Sequence, residues 1–186
     1  ALGELSQRFP ELCVDLSLDD RVLDLVDGGF DLALRIGTLA DSSLVAHRLG
    51  TSRNILVAHP SYLDRAGVPR DPEELASHAA LLYSLSSTGP RWTFTRGSKK
   101  TTVAVAGPFR ANSSLALRTC VLAGLGVARI PSFVVGEDVA QGRLVHVLSD
   151  WELPDQGIFA LTATRDHVPP KTRVFIDFLR ARIGNP

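Results

Sequence analysis

The chain has 186 residues, with 20 Lys and Arg balancing 20 Asp and Glu for a formal net charge of zero. A chain of this length buries roughly 70% of its unfolded surface, so its fold needs no metal or disulfide. The neutral balance argues against a strongly basic nucleic-acid-binding face, and the 45% hydrophobic content is ordinary for a globular protein.

Leu2, Leu5 and Phe9 recur at helical spacing, so the chain opens in a short amphipathic helix ended near Pro10. ALGELSQRFPEL reads as the middle of a helix without a cap, so the sequence is expected to be a piece of a longer protein. CVDLSL (13–18) alternates like a strand. Asp19 and Asp20 supply N-cap chemistry for a helix with Val22, Leu23, Leu25 and Val26 inward, stopped by Gly28 and Gly29. DLALRI (31–36) follows as a short apolar strand. Strand, helix, strand with so short a crossover predicts parallel pairing.

NILVA (54–58) predicts a strand, 59–67 a short helix with Pro60 in its first turn, and 72–78 another helix. ALLYSLSS (80–87) predicts a strand running into a serine-rich turn. Residues 92–97 and 101–107 form a hairpin pattern. Asn112 to Ser114 can cap a helix whose inward face includes Leu115, Leu117, Val121 and Leu122, ended by Gly124 and Gly126. VARI (127–130), RLVHVL (143–148) and GIFALTA (157–163) predict strands, with a helix over 132–142. The final segment is an amphipathic helix with Val174, Phe175, Phe178, Leu179 and Ile183 on its apolar side. Two linkers stand out by composition, Gly67 to Pro72 and Trp151 to Gly157. They divide the chain into one lobe of residues 1–70 plus 158–186 and a second of residues 71–157.

Cys13 and Cys120 each sit in an apolar run and read as buried free thiols of a reducing compartment. No signal peptide or membrane span is visible in the sequence.

Several stretches carry chemistry. Arg35 stands inside an apolar strand and near its end, where Gly37 permits a sharp turn. A buried guanidinium must meet an acid, carbonyls or a ligand, so Arg35 is either an anion-binding residue or half of a structural ion pair. Asn112, Ser113 and Ser114 open a helix, where free N–H groups suit an anion or simple capping explains them. Ser84 and Ser86 lie at another strand end, as turn formers or ligand contacts. GLGVAR (124–129) follows a helix and precedes a strand, the reverse of the dinucleotide fingerprint. There is no nucleophile elbow, no phosphate loop and no zinc spacing among the five histidines, which read as surface or turn residues. No catalytic set and no cofactor or metal site is expected.

The combined pattern of FPEL, DRVLDLVDGGFDLALRIG, DSSLVAHRL, HPSYL, PRDPEEL and NSSLALRTCVLAGLGVARIPSFV resembles the regulatory half of LysR-type transcriptional regulators over essentially the whole chain. The resemblance implies an α/β, two-lobed periplasmic-binding-protein-like fold, each lobe a mostly parallel sheet flanked by helices. It implies a small-molecule effector, an organic acid by the polar character of the tips, held between the lobes. Carried onto this chain, the effector contacts are Asp20, Arg21, Arg35, Gly37, Ser84, Ser86, Asn112, Ser113 and Ser114. It also implies a cytoplasmic homodimer or homotetramer that binds DNA through a winged helix-turn-helix. That domain, a linker helix and a first strand of the sheet are expected on the parent protein. The alternatives are a secreted solute-binding protein and a two-lobed α/β enzyme.

Overall fold

The computed structural model describes residues 2–19, 25, 28–39, 43–163 and 168–184. The chain divides into two compact units, Ala1–Ser52 with Gln156–Pro186, and Arg53–Asp155.

In the first unit, helix α1 spans Leu2–Arg8 and buries Leu5. Residues 13–18 alternate as expected but form no strand, and Val14, Leu16 and Leu18 are exposed. Alternation supplies a face; a strand also needs a neighbour to take its backbone hydrogen bonds, and no described strand lies beside this run. The helix expected after Asp19 falls outside the described residues except for buried Leu25. Cys13 is exposed and Cys120 half-buried, both free thiols, so the expectation of two buried thiols is corrected.

Strands β1 (Ala33–Ile36) and β2 (Val45–Ser52) flank β10 (Gln156–Thr162) in the order β1-β10-β2. Both pairings are antiparallel, which corrects the expected mostly parallel sheet; the expected parallel partner of β1, residues 13–18, forms no strand. The reason lies in the connection. The chain leaves this unit at Ser52 and returns at Gln156, and those two residues face each other in the ladder. Outgoing and returning strands laid side by side must run oppositely. Helix α5 (Pro170–Ile183) covers the sheet, its Ile176 joining Leu49, Ile158 and Ala160 in a small core.

The second unit contains β3 (Asn54–Ala58), α2 (Pro60–Ala66), a 3-10 helix over Pro72–Ser77, β4 (Ala79–Tyr83), β5 (Arg91–Arg96), β6 (Lys99–Ala104), β7 (Ala106–Ala111), α3 (Ser114–Leu122), β8 (Val127–Pro131), α4 (Ser132–Ala140) and β9 (Val145–His146). Five strands make one sheet in the order β7-β4-β8-β3-β9, and β5 and β6 form a separate hairpin. Strand β4 is parallel to both β7 and β8, whereas β3 is antiparallel to β8 and β9. RLVHVL was expected as one strand; only Val145 and His146 pair, against Ala58 and Val57.

Two cores lie on opposite faces of the sheet. Leu56, Ala80, Leu82, Val127, Trp92, Phe94 and Trp151 fill one. Val57, Leu81, Ala128, Ile130 and, from the helices, Leu117, Val121 and Val135 fill the other. Leu115, expected inward, is 64% exposed, because Leu117 and Val121 already turn the packed stripe of α3 away from it. Among the histidines, His78 is buried rather than at the surface. The first boundary between units falls at Ser52 rather than between Gly67 and Pro72, since β3 pairs with β8 and belongs to the second sheet. The second falls at Asp155, inside the expected linker.

Candidate functional site

In the second unit the parallel strands β7, β4 and β8 end together, and polar residues follow two of them. After β4, the Ser84 N–H donates to the Ala111 carbonyl at 2.8 Å, which brings Ser84 beside the end of β7. The Ser86 N–H donates to the Tyr83 carbonyl at 3.3 Å, and Gly89 N–H closes on the Ser86 carbonyl at 3.0 Å, so residues 83–89 form a tight turn. Asn112 and Ser113 follow β7 directly. Ser113 occupies the N-cap position of α3 with extended φ and ψ of −128° and 129°, yet its side chain makes no capping hydrogen bond. The first turn of α3 therefore keeps amide hydrogens without a side-chain cap, and the positive end of the helix is open to a carboxylate. Ser84 and Asn112 are exposed; Ser86, Ser113 and Ser114 are half-buried.

Sequence reasoning missed Arg129, the middle residue of β8. Its guanidinium donates to the Ser86 hydroxyl oxygen at 3.1 Å, and that hydroxyl lies 3.2 Å from the Thr88 hydroxyl. Burial pushes the Arg129 guanidinium below its ordinary pKa, with no carboxylate acting against it. The signal was present in VARI: an arginine inside an apolar strand, the same pattern that singled out Arg35.

In the first unit, Arg35 pairs with Phe159 of β10 and is half-buried, while its neighbours Leu34 and Ile36 are 42% and 44% exposed. The arginine thus occupies the more covered face of β1, and it is engaged there rather than free. Gly37 has φ of 135°, a backbone conformation closed to ordinary L-residues. Its N–H donates to the Gly157 carbonyl at 3.0 Å, which ends the strand in a turn. The structure thus brings Ser84, Ser86, Asn112, Ser113 and Ser114 to one end of one sheet, and Arg35 and Gly37 to the end of β1 in the other unit. Asp20 and Arg21 lie outside the described residues. Among the described residues no three His, Cys, Asp or Glu side chains gather as a metal site.

The family model for the LysR substrate binding domain matches residues 1–184. The chain belongs to the LysR substrate-binding domain family. HTH-type transcriptional regulator PtxR of Pseudomonas aeruginosa is 40% identical over 180 residues, 96% of this chain and 57% of that protein. HTH-type transcriptional regulator CrgA of Neisseria meningitidis serogroup C is 31% identical over 183 residues, 98% of this chain and 61% of that protein. The chain thus spans under two thirds of the length of these curated relatives. Among solved structures, the CrgA regulatory domain superposes with a TM-score of 0.87 at 29% identity, covering 98% of this chain and 90% of that one. Full-length AphB of Vibrio cholerae superposes at 0.81 with 31% identity, covering 98% and 62%. The LysR-type regulatory domain has the two-lobed periplasmic-binding-protein-like α/β fold, and this chain shares it. These relatives are transcriptional regulators, not enzymes. No helix among the described residues is long and apolar enough to cross a membrane.

Proposed function

We propose that this chain is the effector-sensing part of a LysR-type DNA-binding regulator, and that it takes a small anionic organic molecule between its two units. The two units are the regulatory lobes, and the polar tips of their strands are the contact points. The observation that carries this reading is the end of the second sheet. There Ser84, Ser86, Asn112, Ser113 and Ser114 gather beside a helix start without a side-chain cap. Arg35 and Gly37 are the contribution of the first unit, with Asp20 and Arg21 as further contacts.

The ligand acts by population shift. It favours the lobe arrangement to which it binds more tightly, by the difference of its two affinities. Copies of the regulatory domain associate as a homodimer or homotetramer in the cytoplasm. A change in lobe angle then re-spaces the helix-turn-helix domains of the full-length regulator on the promoter.

The test is the melting temperature of the chain against a panel of aromatic and aliphatic carboxylic acids. The reading expects at least one acid to raise it and to be recovered chemically unchanged. Arg35→Ala is expected to abolish that rise while costing at most about 1 kcal/mol of stability, the range for a half-buried side chain outside the core. A consumed acid would point to catalysis. A variant already unfolded at room temperature would make Arg35 a structural ion-pair residue.

A further inference from the structure

The geometry points to Arg129 as the residue that receives the negative charge of the ligand, and so to a carboxylate-bearing small molecule seated on Arg129 and the Ser84–Ser86 turn. This assignment rests on the effector-sensing reading and sharpens it, naming the charge-bearing residue and the chemical class of what it binds.

The case begins with the sheet. Arg129 pairs with Leu56 of β3, and Leu81 of β4 pairs with Ala128. Arg129 therefore stands on the face that carries Leu56 and Leu82, the face of the larger apolar core. A cation on that face loses water without gaining apolar contacts for its charged end, and it needs a counter-charge.

Several other arginines of this unit have partners. Arg118 and Arg143 both reach Asp138 at 2.6 Å. Arg96 reaches Asp150 at 2.5 Å. Arg65 donates to the carbonyls of Ser61 and Gly124, each at 3.0 Å. Arg129 has the Ser86 hydroxyl alone among the described residues, a neutral acceptor. A second cation adds to the field. Arg110 of β7 pairs with Leu82 across from Arg129, which puts the two on one face with a single strand between them. At the usual strand spacing their Cα atoms stand about 10 Å apart.

The shape of the site selects the ligand. A guanidinium offers two parallel N–H donors that match the two oxygens of a carboxylate. Ser86 adds a hydroxyl beside the guanidinium. One half-buried guanidinium neutralises one charge, which suits a carboxylate monoanion better than a doubly charged phosphate. A phosphate would bring a second charge that only the more exposed Arg110 could meet.

The experiment measures melting temperature and binding by titration calorimetry for the wild-type chain, Arg129→Met and Arg129→Lys. The probes are benzoate and butyrate, their neutral amides, and inorganic phosphate. Methionine keeps most of the volume and discards the charge, so the unliganded variant is expected to melt no lower than wild type. The carboxylates are expected to stabilise wild type and to bind Arg129→Met about tenfold to a hundredfold more weakly, the usual loss of a charged hydrogen bond. Arg129→Lys is expected to fall between, because it keeps the charge and loses the fork. The amides are expected to do nothing.

If Arg129→Met binds the acids as well as wild type, or the amides match the acids, the Arg129 assignment falls and the effector reading stands. If phosphate outperforms the carboxylates, the ligand class is wrong. If no probe, charged or neutral, changes wild type, the carboxylate seat on Arg129 falls, and the wider acid panel alone decides the effector reading. Should Arg129→Met fail to fold, Arg129→Lys decides: unchanged carboxylate affinity in it overturns the bidentate seat.

Discussion

At the scale of single residues, two buried polar groups define how the second unit responds to acid. Asp138 of α4 is almost wholly buried and accepts from Arg118 at 2.6 and 2.8 Å and from Arg143 at 2.6 and 2.8 Å. The Arg118 hydrogen bonds, with those of Arg143 behind them, hold its carboxyl below the ordinary carboxylate range despite burial. Its stabilisation is therefore complete above the unfolded carboxylate pKa and is lost as pH falls through the lowered folded value. Asp138→Ala strands Arg118 of α3 and Arg143 just past α4 and should cost about 3 kcal/mol in denaturant unfolding, the low end for breaking such a cluster because both arginines reach water. An unchanged midpoint would make the cluster ornamental.

His78 behaves in the same direction for a different reason. The Tyr62 hydroxyl accepts from the Ala79 N–H at 2.9 Å and lies 3.1 Å from His78 Nδ1. Burial lowers the His78 pKa below the ordinary histidine value. Unfolding takes up the proton first. Stability from this group is full above the unfolded histidine pKa and declines as pH falls below it. Tyr62→Phe leaves the Ala79 N–H and His78 without their partner and should cost about 1 to 3 kcal/mol, measured by urea unfolding at neutral pH.

At the scale of elements, GLGVARIP shows what spacing reveals and what it conceals. Gly126 reads in the sequence as a helix stop; the structure gives it a further task. A Cβ there would stand 2.1 Å from the Ala79 carbonyl oxygen, so β4 and the start of β8 can approach only over glycine. Gly126→Ala must push backbone against backbone and is expected to yield insoluble or unfolded protein on expression. A soluble variant with a native melting temperature would contradict the close approach. The strands at 54–58, 80–83, 127–130 and 157–162 were legible because short, mostly apolar runs bounded by polar or glycine breaks have few other homes. β2 and β7 were not, because VAHRLGTS and AGPFRA carry polar residues, glycine or proline through their length. Both are edge strands in their sheets, where exposure tolerates such residues. CVDLSL failed in the opposite sense, with a strand-like pattern and no described neighbour.

The site was legible in part. The serines at 84 and 86 and the Asn112–Ser114 start were visible as polar breaks after apolar runs. That they meet at one end of a sheet depends on β4 and β7 being parallel, which no local pattern encodes. Arg129 carries the same signal as Arg35, an arginine inside an apolar run, but no glycine follows it to mark a strand end as Gly37 does.

At the scale of the whole molecule, the two units have separate cores, and the chain passes between them twice, at Ser52 and Asp155. Two such crossings joining independently packed units are compatible with the proposed ligand-dependent change of lobe angle. The most direct test is backbone amide chemical-shift mapping of the isotopically labelled chain on titration with the stabilising acid. The account predicts that the largest shifts gather at residues 35–37 of one unit and at 84–86 and 112–114 of the other, saturating together. Shifts confined to one unit, or centred away from these strand and helix ends, would contradict it.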